Sequence, residues 1–364
     1  MRARGSQRQV PAAFGVLAGA VLATFMTTVP ALSAGAHTVS RRYPRYYVAI
    51  GASESLGMQP VPGSRRSMRT DDGYANDLLS MERRRWMQLR LVQFGCPGIT
   101  VQGSLDGKSA CHYPDGSEVA TAVHFIEAHR ARVRLVTVDL GFNDLLPCLS
   151  TGRIRHVCVA EEMTAISRDL PVITRRIKSA AGLGALVVGI EHDDPYLASA
   201  RHGAWRFALA SAAALEQMNR ELGSVYRKAG TPVARVPDST IADTVDRGRY
   251  TISGVGPNGR RRVREPEWAQ DPSFRHELVQ VCSATWMCSR GNIHPTDAGY
   301  REIASAISRT IARAEIRAPT APATFSRGRH YAGTTFVQPA RRMGSPRPQY
   351  RRALPVHPRS GSPP

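Results

Sequence analysis

A serine at position 53 occupies a place where a nucleophile could be presented to a substrate. The apolar, β-prone run 46–50 ends in Gly51, Ala52 and Ser53, and the chain then turns and reaches Gly57. A hydroxyl group just past a strand end and flanked by glycines is one way in which a nucleophilic serine is displayed. The same pattern is also typical of a strand followed by an ordinary serine–glycine turn. Other segments must therefore decide between the two interpretations.

Three further segments bear on Ser53. Gly98 follows a second predicted strand, and glycines there can bring a backbone N–H close to a ligand. Asn143 follows a buried strand in a Gly-x-Asn-Asp sequence, and His294 directly precedes a predicted helix. Because the carboxyl ends of parallel strands share one rim, we expect Ser53, Gly98 and Asn143 to converge there. A serine, an imidazole that takes its proton and donors for an oxyanion are the components of acyl transfer.

Alternating strands and helices predict how these residues are positioned. Strands are predicted over 46–50, 88–93, 134–140, 184–190 and 232–236, and helices over 77–86, 116–130, 161–181, 205–229 and 296–316. Pro171 is expected to kink or divide the third helix. The pattern predicts an α/β fold in three layers, α/β/α, with a central and mostly parallel sheet.

The charge distribution argues against specific nucleic-acid binding despite a net charge of +20. Residues 1–46 and 316–364 carry six and nine arginines and no acidic residue, which leaves +5 for residues 47–315. The arginines of the tail could contact anionic cell-envelope polymers weakly through counterion release. The alternative is a solvated tail with an arginine-rich composition.

The N-terminus predicts export. Residues 1–36 combine a charged start, the uncharged stretch 11–30 and a small-x-small sequence at Ala34–Ala36, which is typical of a signal peptide. A retained membrane anchor is the alternative. We therefore expect a secreted or cell-surface protein with one domain over 37–317, a long insertion at 237–281 and a disordered basic tail, rich in proline and arginine, over 318–364.

An even number of cysteines in an oxidising compartment indicates disulfides. We expect sequential pairing because each pair would close a short loop, although six cysteines allow many pairings: Cys96 with Cys111, Cys148 with Cys158, and Cys282 with Cys288. A structural zinc site is the alternative explanation for the cysteines, but the usual CxxC spacing is absent.

Four blocks in order resemble those of the SGNH hydrolases, also called GDSL lipases and esterases, over about residues 46–315. The blocks are Gly51–Glu54, Cys96–Gly98, Gly141–Asp144 and His294–Pro295. The sequence Asp194–Leu197 and the paired cysteines resemble more specifically the secreted bacterial members.

The resemblance implies an SGNH (flavodoxin-like) fold and a role for each matched residue. Ser53 would be the nucleophile and His294 the general base. The oxyanion donors would be the backbone N–H groups of Ser53 and Gly98 and the side chain of Asn143. No metal or organic cofactor is implied.

Two departures from the family pattern affect these roles. Ala52 replaces an aspartate that supports the loop. The family commonly places an aspartate three residues before the histidine, where this chain has Gly291, followed by Asn292. A carboxylate there orients the imidazole. We expect a backbone carbonyl, such as that of Gly291, to take its place in a Ser–His dyad; the alternatives are an acid from elsewhere, such as Asp238, or weakened or lost activity.

Other candidate residues are interpreted structurally. Ser55 is expected to be a turn hydroxyl, and His192 and His276 surface or loop histidines. Asp139 is expected to be a structural hydrogen-bonding residue in a buried strand, while Trp286 could line an acyl pocket.

The sequence thus predicts a secreted, monomeric serine esterase or lipase that hydrolyses small-molecule or lipid carboxylic esters through an acyl-enzyme on Ser53. The alternative is a catalytically weakened cell-surface binding protein on the same scaffold.

Overall fold

A computed structural model describes residues 43–64, 66–149, 152–236 and 271–317. The expectations for the signal segment 1–36, for Asp238, for most of the insertion 237–281 and for the tail 318–364 fall outside these ranges and stay predictions. Within the described ranges, no helix is both long and apolar enough to cross a membrane.

A five-stranded sheet forms the centre of the fold. The strands, with two that form a separate hairpin, are Arg45–Gly51 (β1), Met58–Pro60 (β2), Ser67–Arg69 (β3), Leu89–Gln93 (β4), Val133–Asp139 (β5), Leu186–Ile190 (β6) and Val233–Ala234 (β7). The sheet order is β4-β1-β5-β6-β7 and every neighbouring pair is parallel. This is the flavodoxin-like order of doubly wound α/β proteins, so the predicted fold class is confirmed.

Helices cover both faces of this sheet. They are Tyr74–Glu82 (α1), Val101–Asp106 (α2), Glu118–Ala128 (α3), Phe142–Leu149 (α4), His156–Ala181 (α5), Trp205–Lys228 (α6), Pro272–Ala284 (α7), Met287–Arg290 (α8) and Asp297–Arg317 (α9), with 3₁₀ turns at Glu54–Leu56, Gly182–Gly184 and Pro195–His202.

Alternation along β1 explains the two layers. Tyr47 and Ala49 point into a core shared with α1 and α9, whereas Val48 and Ile50 point into a core shared with α3, α5 and α6. Successive side chains of a strand point to opposite faces, so a strand that is apolar throughout must be covered on both sides.

The predicted elements differ from the observed ones in several places. Pro171 does not divide α5, which runs without a break to Ala181. Its buried residues include Ile166, Leu170 and Ile173, and tertiary packing of such a stripe supplies most of a helix's stability. The hairpin and the helices α2, α4, α7 and α8 were not predicted, and α7 lies partly inside the expected insertion.

Three disulfides join the cysteines sequentially, as expected. The bonds are Cys96–Cys111, Cys148–Cys158 and Cys282–Cys288, and they close separations of 15, 10 and 6 residues. The first anchors the segment that leads to Gly98, and the third lies in the segment just before His294.

Candidate active site

Ser53 lies directly after β1, at the start of the 3₁₀ turn Glu54–Leu56. Its carbonyl accepts hydrogen bonds from the backbone N–H groups of Leu56 (3.2 Å) and Met58 (3.1 Å). Within the described residues, neither its hydroxyl nor its N–H has a hydrogen-bond partner. The turn is thus held by the carbonyl while the hydroxyl stays available. The neighbouring Ser55 is fully buried and donates to Ala52 O at 2.7 Å, as expected for a turn hydroxyl.

Gly98 lies in the loop after β4. The N–H of Cys96 donates to the carbonyl of Gly51 at 3.0 Å and so ties this loop to the end of β1. Gly98 itself is exposed and has φ +79°, a left-handed conformation that favours glycine. In the part of the chain that the structure describes, its N–H has no acceptor. It can therefore donate to a ligand.

Asn143 lies just after β5 and links the two loops. Its side-chain amide donates to the carbonyl of Ile99 at 3.0 Å, which leaves its second N–H for another acceptor. The next residue, Asp144, accepts from the N–H of Val101 through both carboxylate oxygens, at 3.2 and 3.0 Å. Burial raises the pKa of Asp144 to about 7, even though the Val101 hydrogen bond lowers it.

The imidazole of His294 is oriented by Asn292. Asn292 Oδ1 lies 2.8 Å from His294 Nδ1 and also accepts from the backbone N–H of His294 at 3.0 Å. This is an Asx turn, in which a side chain bonds the backbone two residues later. Gly291 precedes it in a left-handed conformation (φ +59°) that ends α8. The side chain of Asn292 thus provides the hydrogen-bond acceptor for His294 Nδ1, a role that we expected a backbone carbonyl such as that of Gly291 to have.

These contacts decide which ring nitrogen carries the proton. A backbone N–H can only donate, so the atom of Asn292 that faces it must be the oxygen. That oxygen also faces Nδ1, which must then carry the proton. Nε2 keeps its lone pair and can act as a base.

A hairpin contact connects this imidazole to the turn that holds Ser53. Ser67 Oγ, on β3, accepts from Asn292 Nδ2 at 3.1 Å and lies 3.2 Å from His294 Nδ1. At the other end of the hairpin, Met58 bonds the Ser53 carbonyl and accepts from the hydroxyl of Tyr300 at 2.7 Å. The hairpin β2–β3 therefore links the serine turn to the histidine loop.

The environment of His294 favours its neutral form. Burial lowers the pKa of His294, and the negative charge of Glu54 opposes this only in part. A neutral imidazole is the form that can accept a proton from a serine.

The structure places Ser53, Gly98 and Asn143 after the carboxyl ends of β1, β4 and β5, and it links His294 to the serine turn through the hairpin β2–β3. Sequence reasoning missed the role of Asn292, although an Asn or Asp two residues before a histidine is a recognisable Asx-turn signal. Ser67 has no such local signal, because it comes from a hairpin 227 residues before His294.

The structure places two of the other candidates in the interior. His192 lies in the loop after β6, but it is buried beneath the serine turn and is not on the surface. Asp139 is buried at the end of β5, and neither of its carboxylate oxygens has a partner at hydrogen-bond distance among the described residues, although the Tyr74 hydroxyl lowers its pKa. Its role as a structural hydrogen-bonding residue stays a prediction.

A small cleft, with room of about 40 Å³ for water-sized molecules, lies beside the His294 loop. Its lining is Asp193, Asp194, Leu197, Val236, Glu277, Gln280, Val281, Ala284, Pro295, Gly299, Glu302 and Ile303. This lining includes neither Trp286 nor Ser53, so the expectation that Trp286 lines an acyl pocket stays a prediction. The Arg290 guanidinium lies 4.6 Å from the centre of the Trp286 ring.

The fold was also compared with those of known proteins. Neither protein-family models nor curated proteins match this sequence. The solved structures that it resembles include GDSL/SGNH lipases and esterases. Phospholipase A1 from Streptomyces albidoflavus NA297 is 14% identical with a TM-score of 0.42, over 74% of this chain and 100% of that one. The extracellular lipase from Streptomyces rimosus is 16% identical with a TM-score of 0.41, over 73% of this chain and 99% of that one.

A third match is the protein YxiM from Bacillus subtilis, which is 12% identical with a TM-score of 0.41. The alignment covers 76% of this chain but only 58% of that protein. All three likenesses are weak at these TM-scores. The fold assignment rests on the strand order, and the chemistry rests on the site.

Proposed function

We propose that this protein is a serine hydrolase of carboxylic esters, with Ser53 as nucleophile and His294 as general base. The observation that carries the proposal is the hydrogen bond from His294 Nδ1–H to Asn292 Oδ1. This bond leaves Nε2 as the base. The β2–β3 hairpin links that histidine to the serine turn. The hydroxyl of Ser53 has no hydrogen-bond partner among the described residues. Ser53 and Asn143 follow β1 and β5, the two strands between which the order of the sheet reverses. Ligands of open α/β sheets bind at such a point.

Acylation begins when the Ser53 hydroxyl attacks the ester carbonyl carbon and His294 Nε2 takes its proton. The negative charge that develops on the carbonyl oxygen is stabilised by the N–H groups of Ser53 and Gly98 and by the free amide N–H of Asn143. The imidazolium then gives its proton to the leaving alkoxide, so an alcohol departs and an ester bond to Ser53 remains.

Deacylation repeats these steps with water. His294 Nε2 takes a proton from the attacking water, and the tetrahedral intermediate collapses with the Ser53 oxygen as leaving group. The imidazolium returns its proton to that oxygen, and the carboxylic acid is released. Asn292 keeps the ring oriented throughout, but it supplies no negative charge to stabilise the imidazolium.

Export is part of the same proposal. Its support is the signal-like segment 1–36, which precedes a domain with three disulfides, and disulfides persist mainly in oxidising compartments. N-terminal sequencing of protein recovered from the medium tests it: a start near residue 37 supports cleavage, and recovery of the intact N-terminus in membranes contradicts it.

Replacement of the nucleophile tests the activity. We expect wild-type protein to hydrolyse short p-nitrophenyl esters and to be labelled by a fluorophosphonate serine probe. Ser53→Ala should lose labelling and at least about 10³-fold in kcat. Ser80→Ala is the matched control, because Ser80 lies exposed on α1 and bonds the carbonyl of Asn76 and no other described residue. Full activity and labelling of the Ser53 variant would exclude Ser53 as the nucleophile.

The binding-protein alternative makes a different prediction. Its support is the uncharged Asn292 in the position of an acid. It requires that folded wild-type protein neither turns over any ester nor reacts with the probe. Labelling of wild-type protein that is lost in Ser53→Ala eliminates this alternative.

A further inference from the structure

Three polar side chains meet beneath the serine turn. Glu54 comes from the turn itself, Asp139 from the end of β5 and His192 from the loop after β6. The side chains of Asp139 and His192 are 1% and 2% exposed, and that of Glu54 is 14% exposed. One ligand atom from each lies within 4.8 Å of the other two.

Three buried polar atoms of this cluster have no partner at hydrogen-bond distance. Among the described residues these are both oxygens of Asp139 and Nδ1 of His192, although the Tyr74 hydroxyl lowers the pKa of Asp139. His192 Nε2 lies 3.3 Å from the carbonyl of Leu140, and since a carbonyl only accepts, Nε2 carries the proton. In the neutral ring, Nδ1 then presents a lone pair to two carboxylates. Buried groups of this kind need a positive charge between them.

The distances correspond to a shared cation better than to direct hydrogen bonds. His192 Nδ1 lies 3.6 Å from Glu54 Oε2 and 3.6 Å from Asp139 Oδ1. A hydrogen bond from nitrogen to oxygen is ordinarily about 2.7–3.2 Å long. Ligands about 2.0–2.2 Å from a tetrahedral ion are separated from one another by about 3.3–3.6 Å. A histidine that binds a metal also typically donates its other N–H to a backbone carbonyl, as His192 does to Leu140.

We propose that Glu54, Asp139 and His192 bind one divalent transition-metal ion of the zinc class, with water as the remaining ligand. Two carboxylates and a neutral imidazole carry two negative charges, which such an ion neutralises. An imidazole ligand and only three protein donors disfavour calcium and magnesium, which prefer more oxygen ligands. The ion joins the serine turn to the ends of β5 and β6, and it therefore positions the nucleophile and takes no part in the chemistry.

The alternative to a metal ion at this site is a proton on His192 Nδ1. Burial alone lowers the pKa of His192, but Glu54 and Asp139 raise it to about 9. An imidazolium between the two carboxylates would then replace the ion. The two states differ in metal content and in their response to added metal.

Metal content and thermal stability test the proposal in the full-length protein. Protein treated with a chelator and dialysed is mixed with ZnCl₂ or CoCl₂, and bound metal is measured by mass spectrometry. We expect about one ion per chain, a visible Co²⁺ absorption band typical of a four-coordinate site, and a rise in Tm of about 5 °C or more at saturating metal. CaCl₂ and MgCl₂ should leave Tm unchanged.

Two substitutions locate the site, and one controls for surface binding. His192→Gln and Asp139→Asn should each lose the bound ion, the Co²⁺ band and the rise in Tm. His124→Gln should keep all three, because His124 forms an exposed pair with Asp115 at 3.1 Å. Loss of the ion from the His124 variant alone would overturn the assignment.

Wild-type protein also provides a decisive outcome if a variant fails to fold. No bound ion, no Co²⁺ band and no change in Tm with zinc or cobalt would overturn the proposal in favour of the imidazolium. Ser53→Ala should bind the metal as wild-type protein does, so failure of the metal site and failure of the proposed hydrolase activity are distinguishable.

Discussion

Asn292 Oδ1 lies 2.8 Å from His294 Nδ1 and accepts the backbone N–H of the same residue at 3.0 Å. One amide oxygen thus fixes both the position of the loop and the tautomer of the ring. In a Ser–His–Asp triad a carboxylate holds the ring and also stabilises its positive charge. An amide can hold the ring but cannot stabilise its positive charge.

Removal of this amide should slow the chemical step. We expect Asn292→Leu, which has a similar volume, to lower kcat by about 10- to 100-fold with little change in KM, because the ring loses its orienting acceptor. Ser67→Ala should have a smaller effect, since Ser67 Oγ lies farther from Nδ1, at 3.2 Å. Steady-state kinetics on a p-nitrophenyl ester measures both. An equal loss of kcat in the two variants would contradict the conclusion that Asn292 is the main group that orients the ring.

The pH dependence should report the environment of His294. Burial lowers the pKa of His294 from its ordinary value of 6.5, so the base is neutral above that pH and becomes protonated only in more acidic solution. We expect the midpoint of the acidic limb of kcat/KM to lie below pH 6.5. Asn292→Asp adds a negative charge near Nδ1 and should move this acidic limb to higher pH. A wild-type midpoint above 6.5, or no shift in the variant, would contradict this account.

Asn143 should act on the transition state. We expect Asn143→Ala to lower kcat by about 10²- to 10³-fold with KM nearly unchanged, as for loss of one oxyanion donor. The substitution also removes the hydrogen bond to Ile99, so Tm is measured in parallel. A large fall in Tm, with no more loss of activity than the loss of folded protein explains, would indicate that Asn143 is a structural cap instead.

The Cys96–Cys111 disulfide should support both stability and activity. It closes a separation of 15 residues, for which chain entropy gives about 3 kcal/mol of stabilisation. Replacement of both cysteines by serine should lower Tm and also kcat, because the loop that holds Gly98 loses an anchor. The same replacement at Cys148 and Cys158 should lower Tm similarly with less effect on kcat. Equal losses of kcat in the two double variants would contradict a local role of the Cys96–Cys111 disulfide in holding the Gly98 loop.

Asp144 should make the protein less stable as pH rises from about 4 to 7. Its pKa is raised from 3.8 to about 7 by burial, so the folded state keeps a proton that the unfolded state releases in this window. The unfolded state binds fewer protons, and the free energy of unfolding therefore falls with pH by up to about 1.4 kcal/mol per pH unit. Asp144→Asn should flatten this slope, and urea unfolding at several pH values measures it. An unchanged slope, equal to that of the exposed Asp71→Asn, would refute the assignment.

Much of the fold could be predicted because its signals are local. The five strands of the main sheet are short apolar runs with clear ends, and each was predicted to within about two residues at its start. Pro171 does not divide α5, because packing of α5 against the sheet outweighs a local preference. The hairpin β2–β3 was missed because its strands have only three residues each and no marked alternation.

The residue types of the site could be read from the sequence alone: a serine after β1, a glycine after β4, an amide after β5 and a histidine before the last helix. It could also imply that these follow strand ends, since periodicity and turn residues act over a few neighbours. The fold had to be known to see that Ser67 holds the Asn292 amide beside His294 and to see what lies beneath Ser53. Those answers depend on Ser67, Asp139 and His192, which are far from their partners in the chain. Packing of separate elements brings them together, and no local pattern encodes such a distance.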